Sequence, residues 1–322
     1  MATKVLITGG TGFLGKRLAI ALRDSKGQYE VVLTGRNNKQ NFLAEKMTGC
    51  RILPMDVVNI ESVRDAFAEV RPEIVIHAAA TKFVDLSEKQ PMECTDVNVV
   101  GSQNVARVAL DKGVRTVIGI STDKAAPPVR NIYGLSKAMM EKMFCSMDGK
   151  TDTRFMCVRY GNVAWSTGSV LPIWKKMHEE TGILRSTGPE MTRYFFSVDE
   201  AVKLILTAMN NLGQLHGKVL SRSMKSAKIR DLLDVWTAEK GGKWEKMEGR
   251  PGDRLYECLI GELELEFTTT AKYDGILHYI ITPNQTAPAG QAIQKIVSSD
   301  NAERLTRQEI SVLLNAIPKE EL

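Results

Sequence analysis

The sequence predicts an α/β protein built on a doubly wound parallel sheet, with a smaller C-terminal substrate-binding lobe. Short apolar runs alternate five times with amphipathic segments before residue 121, which is the pattern of parallel strands joined by helices. A glycine-rich turn follows the first of these runs. After residue 162 the alternation is lost, and Gly, Ser and Thr dominate locally. We therefore assign residues 1–162, with parts of 193–222, to a nucleotide-binding domain, and residues 163–192 and 223–322 to the substrate lobe.

The composition is that of a soluble globular protein, with 322 residues, 43% apolar, 25% charged and a net charge of +5. Lysine and arginine are scattered among acids, which favours an anionic small molecule over nucleic acid as the partner, because nucleic-acid binding needs clustered basic residues. No apolar run approaches the roughly 20 residues that span a bilayer, and the first strand begins without a charged leader. We expect a cytoplasmic protein with no membrane partner.

The five cysteines and four histidines are far apart in the sequence, and no Cys-x-x-Cys occurs. This usage indicates a reducing compartment and argues against a disulfide framework. Neither residue type clusters at the spacing of metal ligands, so no metal site is predicted.

A glycine-rich turn at residues 9–15 follows the first strand and opens an amphipathic helix. Its glycines would let backbone N–H groups approach a pyrophosphate and let the helix pack closely on the strand, as in a Rossmann domain. The alternative is a glycine-rich turn without a ligand. The cofactor-binding candidates here are Gly9, Thr11, Gly12, Phe13, Leu14 and Gly15.

The second strand, residues 30–34, ends at Gly35 and Arg36, and no acid follows until Glu45. An acid at this position would accept a hydrogen bond from the ribose 2′-hydroxyl and repel a 2′-phosphate, whereas a guanidinium pairs with phosphate. We therefore predict NADP over NAD, with NAD still possible. The alternative is that Arg36 is a surface arginine.

Two further strand ends supply cofactor candidates. Asp56 and Val57 follow the third strand, and Asp56 either meets the adenine amino group or caps the helix from Ile60. The strand at residues 74–80 ends in Ala78, Ala79 and Ala80, which are small enough to let a flat cofactor lie close.

A long helix is predicted from about residue 92 to 112, with Asn98 on its apolar face. This amide either orders the cofactor site or satisfies a buried backbone group.

The stretch from residue 121 to 137 carries the candidate chemistry. Pro127 and Pro128 delay a helix until about Asn131, so Tyr133 and Lys137, four apart, lie on one face of it. An ammonium near a phenol lowers the phenol pKa, and such a tyrosine can take a proton from a sugar hydroxyl while hydride leaves the same carbon. The alternative is a chance pair. Because ligands of such sheets bind outside the carboxyl ends of the strands, all these candidates are predicted to share one crevice.

Several motifs together resemble the extended short-chain dehydrogenase/reductase family that modifies nucleotide sugars. Within it, they are most similar to the C5-inverting UDP-N-acetylglucosamine 4,6-dehydratases of bacterial surface-sugar synthesis. The motifs are Ser121-Thr122-Asp123-Lys124-Ala125, Tyr133-x-x-x-Lys137 with its continuation to Lys142, Arg159-Tyr160-Gly161-Asn162-Val163, Gly168-Ser169-Val170, Met191-Thr192-Arg193 and Arg250-Pro251-Gly252-Asp253.

The resemblance implies catalytic roles. Tyr133 and Lys137 would drive oxidation at C4 of a UDP-sugar, and Thr122 would hydrogen-bond the sugar near C4. Lys124 would remove the C5 proton, for which its pKa must be lowered, and Asp123 would protonate the departing C6 hydroxyl. The alternative for Asp123 and Lys124 is a strand-end salt bridge or helix cap.

The resemblance also implies the substrate-binding residues and a homo-oligomer. Asn162, Arg193 and Arg250 would hold the nucleotide diphosphate, and Lys82 and Ser169 would lie near the substrate. Trp165 falls where a small residue is usual, and it would reshape the sugar pocket.

Two other functions remain open. A UDP-sugar 4- or 5-epimerase would need the same cofactor and Tyr133 but no acid for water loss. A non-catalytic dinucleotide sensor would need neither Tyr133 nor Lys137.

Overall fold

The computed structural model describes residues 2–249 and 253–318. Within them the strands are β1 (Thr3–Thr8), β2 (Tyr29–Gly35), β3 (Arg51–Pro54), β4 (Ile74–His77), β5 (Thr116–Ile120), β6 (Arg154–Val158), β7 (Asn162–Val163), β8 (Ile183–Ser186), β9 (Thr192–Phe196), β10 (Val219–Arg222), β11 (Ser226–Lys228), β12 (Lys243–Lys246), β13 (Cys258–Ile260), β14 (Thr268–Tyr273), β15 (Ile276–Ile281) and β16 (Val297–Ser298).

The α-helices of the same ranges are α1 (Phe13–Arg23), α2 (Asn38–Thr48), α3 (Ile60–Val70), α4 (Val84–Lys89), α5 (Pro91–Thr95), α6 (Gly101–Asp111), α7 (Ile132–Met147), α8 (Val170–Thr181), α9 (Val198–Asn210), α10 (Leu212–Leu215), α11 (Ile229–Lys240) and α12 (Arg307–Asn315). A π-helical turn covers Asp96–Val100, and 3-10 turns cover Asp123–Ala125 and Glu262–Phe267. Among the described helices, none combines the length and the apolar character needed to cross a membrane.

The main sheet has nine strands in the order β14-β15-β10-β6-β5-β4-β1-β2-β3. The strands from β10 to β3 are parallel to their neighbours, and β15 and β14 join antiparallel at one edge. β1 pairs with both β2 and β4, so the glycine-rich turn follows a central strand. The predicted doubly wound parallel sheet with a smaller C-terminal lobe is confirmed.

Both faces of the sheet are covered by helices, which explains why its inner strands are apolar throughout. One apolar cluster includes Leu18 of α1 and Ile205 of α9, each 0% exposed. The other includes Phe67 of α3, Val105 of α6 and Phe144 of α7, also 0% exposed. These two layers fix the sheet, and hence the positions of the loops at the carboxyl ends of its strands.

The smaller lobe has its own core around three tryptophans. Trp165 and Trp236 pack with ring centroids 6.2 Å apart, and Trp174 meets Trp236 edge-on at 6.3 Å. Trp165 is 2% exposed and donates from Nε1 to the Leu313 carbonyl at 2.9 Å. The expectation that Trp165 reshapes the sugar pocket is therefore wrong, because its ring is needed in the lobe core.

Two segments differ from the sequence-based expectation. β14 and β15 fall within residues 223–322, which the sequence assigns to the lobe, yet they extend the main sheet. They cover the backbone edge of β10, which would otherwise expose unpaired N–H and C=O groups. The predicted helix over residues 92–112 is divided into α5, the π-helical turn and α6.

Several helices begin at a residue whose side chain caps their first N–H groups. α7 begins at Ile132, next to the expected start near Asn131, and Asn131 Oδ1 accepts from the Gly134 N–H. The α3 cap is Asn59, whose Oδ1 accepts from the Glu61 and Ser62 N–H groups. Asp56 therefore does not cap α3; its Oδ1 accepts from the Val58 N–H at 3.0 Å, within its own turn.

Candidate active site

A cavity of about 980 Å³ opens along the carboxyl ends of the parallel strands. It is lined by all of the cofactor candidates, namely Gly9, Thr11, Gly12, Phe13, Leu14, Gly15, Arg36, Asp56, Val57, Ala78, Ala79, Ala80, Tyr133 and Lys137. The catalytic candidates Thr122 and Lys124 line the same cavity. The structure thus brings residues from five strand ends into one crevice.

The glycine-rich turn has the close contacts that its glycines predict. Gly9 has φ +62°, and a Cβ there would lie 2.6 Å from Ala79 Cα, so β1 and β4 approach at a distance that excludes a side chain. A Cβ at Gly15 would lie 2.5 Å from Gly10 Cα. Since Gly12 at the N-cap of α1 has no side chain, the first N–H groups of this helix are not capped by that residue. The turn therefore fits a pyrophosphate.

The adenosine end of the crevice carries opposite charges. Arg36 Nη2 lies 3.3 Å from Glu93 Oε1 of α5, and both side chains are about half exposed. Asn37 and Gln40 line the same end. The candidate phosphate-binding arginine thus already has an acidic partner.

Asn98 lies in the π-helical turn, and its amide holds the backbone beside the crevice. Its Oδ1 accepts from the Thr81 N–H at 2.8 Å, and its Nδ2 donates to the Thr81 carbonyl at 3.0 Å and to Ser136 Oγ at 2.9 Å. Of the two alternatives left open for Asn98, pairing with backbone groups is the one observed. Because Thr81 lines the crevice, this pairing also orders the site wall.

The electrostatics of Tyr133 differ from the prediction. Burial raises the pKa of Tyr133 to about 12, and this exceeds the lowering effect of the Lys124 charge and the Thr122 hydroxyl. The cation that lowers the pKa of the phenol is Lys124. The prediction that Lys137 brings the Tyr133 pKa towards neutrality is therefore wrong.

Lys137 is placed deep in the crevice wall. It is 3% exposed, and its Nζ lies 3.7 Å from Met140 Sδ. Burial lowers its pKa to about 8. The helix places Lys137 one turn after Tyr133, but its amine reaches an apolar environment in which the charged form is costly.

Asp123 and Lys124 form a buried ion pair in the 3-10 turn after β5. Lys124 Nζ lies 3.0 Å from Asp123 Oδ1, and the Thr122 hydroxyl donates to the same oxygen at 3.0 Å. The Asp123 side chain is 0% exposed, and within the described residues its Oδ2 has no hydrogen-bond partner. Asp123 therefore lies one layer behind the crevice, whereas Thr122 and Lys124 face it.

The pKa of Lys124 is shifted opposite to what its predicted role requires. Burial lowers it, but the carboxylates of Asp123 and Glu257 more than compensate, so the pKa of Lys124 is raised. The Lys124 amine also donates to Asn162 Oδ1 at 3.2 Å. At neutral pH, Lys124 is therefore held as an ammonium.

The substrate-binding candidates separate into three groups. Lys82, Asn162 and Ser169 line the crevice. Arg193 does not; its guanidinium donates to the Thr192 and Arg254 carbonyls, each at 2.8 Å. Arg250 lies outside the described residues.

Glu257 is the residue of this site that sequence analysis missed. Its Oε1 lies 3.7 Å from Lys124 Nζ and 3.9 Å from Arg193 Nε, and it is 5% exposed. The only local signal is an acid directly before the short apolar run of β13. A buried acid in that position needs a cationic partner, but the sequence does not say which.

The comparisons with known proteins agree with the resemblance that the sequence motifs indicate. The chain matches the family described as polysaccharide biosynthesis protein over residues 5–279. It is 34% identical over 288 residues to a Campylobacter jejuni protein named UDP-N-acetylglucosamine 4,6-dehydratase (inverting), covering 87% of this chain and 83% of that one. It is 31% identical over 342 residues to a Rickettsia bellii protein named UDP-glucose 4-epimerase, covering 96% and 94%.

The X-ray structure of Pen from Bacillus thuringiensis superposes with a TM-score of 0.88 at 27% identity, covering 98% of this chain and 97% of that one. The resemblance to the inverting dehydratases, inferred from motifs, is confirmed by the Campylobacter relative. By its match over residues 5–279, the chain belongs to the polysaccharide biosynthesis protein family.

Proposed function

We propose that the protein is a nicotinamide-dependent 4,6-dehydratase of a UDP-sugar, with UDP-N-acetylglucosamine as substrate and a 4-keto-6-deoxy product inverted at C5. The observation that carries the proposal is the shared position of the Tyr133 phenol and the Lys124 amine at the crevice that the glycine-rich turn opens, with Asp123 paired to Lys124 directly behind the wall. The name of the Campylobacter relative supports the substrate.

The crevice fits a nicotinamide dinucleotide. The N–H groups at the start of α1, which no side chain of the Gly12 cap occupies, would bind a pyrophosphate, and Arg36 would bind the 2′-phosphate of NADP in place of Glu93. When bound, the dinucleotide would accept hydride from C4 of the sugar and return it at C6. Lys137 would lie beside it in the crevice wall.

The protein side chains would move the protons. Tyr133 would take the proton of the C4 hydroxyl, for which the phenol must first be deprotonated, and Thr122 would hold that oxygen. The resulting ketone acidifies the C5–H bond. Lys124 would take the C5 proton, the C5–H electron pair would form the C5–C6 double bond, and the C6–O bond would break. The departing hydroxyl would leave as water with a proton from Asp123. Once hydride has been returned to C6, a proton added to C5 from the opposite face of the ring would complete the inverted product.

One proton transfer within the Asp123–Lys124 ion pair would produce both the base and the acid that the reaction requires. If the Lys124 ammonium gives a proton to Asp123 across their 3.0 Å contact, the products are a neutral amine and a neutral carboxylic acid. These are the base for C5 and the acid for the C6 hydroxyl. Because Asp123 is buried, its proton would reach the crevice through Thr122 or Lys124, crevice residues whose polar side-chain atoms each lie 3.0 Å from Asp123 Oδ1.

The test is incubation of the full-length protein with NADP and UDP-N-acetylglucosamine in D2O. The expected product is lighter by one water molecule, allowing for incorporated deuterium, and carries deuterium at C5 by proton NMR. Lys124→Met should bind NADP as the wild type does but give no C5 exchange. If the wild type binds both ligands but the sugar mass is unchanged, the dehydratase proposal fails.

The second candidate is a UDP-sugar epimerase, because the Rickettsia relative with that name matches 96% of the chain. The same reaction distinguishes the two candidates. A product of unchanged mass with a new configuration at C4 or C5 would support the epimerase.

A further inference from the structure

The Lys124 amine has a second carboxylate neighbour that the proposed chemistry does not use. Glu257 Oε1 lies 3.7 Å from Lys124 Nζ, and the Glu257 side chain is 6% exposed. At this burial the charge is poorly screened by water and salt, so it acts strongly on the amine. Among the residues that the structure describes, Lys124 Nζ has three oxygen neighbours: Glu257, Asp123 at 3.0 Å and the Asn162 amide oxygen at 3.2 Å.

The backbone of Glu257 is fixed in place. Its N–H donates to Ser299 Oγ at 3.0 Å, and its carbonyl accepts from the Ser299 N–H at 2.8 Å. Ser299 is 0% exposed. Glu257 directly precedes β13, which packs against the 3-10 turn of Asp123–Ala125. A carboxylate on such a rigid support can define the position of a flexible lysine side chain.

The charges that face Lys124 come from several elements. Arg193 of β9 lies beside Glu257, with its Nε 3.9 Å from Glu257 Oε1. Its positive charge offsets part of the effect of the Glu257 carboxylate on the Lys124 amine. The phenol of Tyr133, on α7, is uncharged at neutral pH because burial raises its pKa to about 12. Within the described part of the chain, the ionisable groups that act on the amine are thus Asp123, Glu257, Arg193 and Tyr133.

We propose that Glu257 is a positioning residue of the dehydration: it fixes the Lys124 amine at the crevice wall and stabilises the ammonium that forms when Lys124 accepts the C5 proton. This inference rests on the function proposed above. In that step the C5–H bond breaks, an N–H bond forms on Lys124, and Glu257 gains and loses no proton. The neighbouring negative charge makes Lys124 a stronger base than it would be beside a neutral amide.

The first test needs no turnover. Competitive acetylation with acetic anhydride, read by mass spectrometry, gives the titration midpoint of Lys124 in the full-length protein without substrate. Glu257→Gln should lower this midpoint by about one pH unit or more, since a charge at this distance acts on that scale. Glu257→Asp keeps the negative charge, so its Lys124 midpoint should stay closer to that of the wild type than to that of Glu257→Gln. An unchanged midpoint in a folded Glu257→Gln protein overturns the proposal.

The matched control is Glu264→Gln. Glu264 is 14% exposed and lies 2.8 Å from Arg159, so its removal also disrupts a buried ion pair. It should lower Tm without moving the Lys124 midpoint. If Glu264→Gln moves that midpoint as far as Glu257→Gln does, the effect is a general loss of structure and the proposal fails.

The second test is the pH dependence of turnover. Because the Asp123–Lys124 pair must keep its shared proton to supply both the base and the acid, activity should fall as pH rises through the titration of Lys124. Glu257→Gln should move that limb to lower pH and reduce the plateau kcat about tenfold or more, with KM changed less than kcat. A lower plateau with an unmoved limb indicates a purely structural role and overturns the proposal.

Two outcomes are separated by design. If the wild type does not dehydrate the sugar, the proposed function fails, and the Lys124 titration alone decides whether Glu257 controls the amine. If Glu257→Gln does not fold, the test is the titration midpoint of Lys124 in the wild-type protein. A midpoint below that of the exposed Lys39 in the same sample overturns the proposal.

Discussion

Arg36 and Glu93 face each other across the adenosine end of the crevice, with Arg36 Nη2 3.3 Å from Glu93 Oε1. The arginine follows β2, and the glutamate belongs to α5. Because both side chains are about half exposed, this pair contributes little to stability. A phosphate on the ribose can therefore replace Glu93 as the partner of Arg36.

Replacing Arg36 by alanine should change cofactor preference. We expect Arg36→Ala to lower NADP affinity about 10- to 100-fold, the range of one lost charge-assisted hydrogen bond, while NAD affinity changes little. Fluorescence titration with each dinucleotide measures both. Glu93→Gln is the matched control and should raise NADP affinity slightly, because it removes a competing carboxylate. An unchanged ratio of NADP to NAD affinity in Arg36→Ala would contradict the NADP preference.

Removing the Tyr133 hydroxyl should stop oxidation at C4. We expect Tyr133→Phe to lower kcat by about 100- to 10,000-fold, the range for loss of a general base. Cofactor affinity should be preserved because the ring remains in the crevice wall. Steady-state turnover and dinucleotide titration on the same sample check both. Full turnover in Tyr133→Phe would leave only a reaction or a binding function that does not use this phenol.

Strand-end positions were predictable because the parallel topology fixes them. Once strands alternate with helices, the residues after each strand must meet at one sheet edge, and Arg36, Ala79, Thr122 and Tyr133 do. The start of α7 at its Asn131 cap followed from the same local rules. These features depend on short segments of sequence, which is why pattern alone was enough.

The charge environment was not predictable, because it depends on burial and on distant segments. Glu257 is more than a hundred positions from Lys124 and reaches it only because β13 packs on the Asp123–Ala125 turn. The same is true of Tyr133, whose pKa rises because it is buried, a property that an i, i+4 spacing does not specify. For both Lys124 and Tyr133, the pKa is therefore raised, whereas the sequence-based roles required it to be lowered.

Gly161 should not accept a side chain. An alanine Cβ there would lie 2.5 Å from Tyr194 Cβ and 3.2 Å from Asp123 Oδ2. We expect Gly161→Ala to lower the free energy of unfolding by about 1–3 kcal/mol, as overpacking does, and to displace the carboxylate that Lys124 contacts. Urea unfolding and turnover measure the two effects. Gly213→Ala is the control, because a Cβ there meets no atom within 4 Å, and it should be neutral or slightly stabilising. Equal stability of both variants would contradict the packing argument.

Lys137 should give the protein a specific pH dependence of stability. Burial lowers its pKa from 10.5 to about 8 in the folded state. Between these values the unfolded chain binds a proton that the folded protein does not, so this group's contribution to stability rises with pH and is lost as pH falls through about 8. Lys137→Met removes the contribution.

The variant should therefore be more stable than the wild type at neutral pH, by up to about 2–3 kcal/mol, and this advantage should shrink as pH rises from about 8 to 10.5. Its activity should fall, because the amine belongs to the proposed cofactor site. Urea unfolding of both proteins across this range measures the difference. Lys142→Met, on the exposed side of the same helix, controls for the effect of replacing lysine by methionine in α7. A stability difference between Lys137→Met and wild type that stays constant across the range would show that the folded protein does not hold Lys137 in a costly charged state.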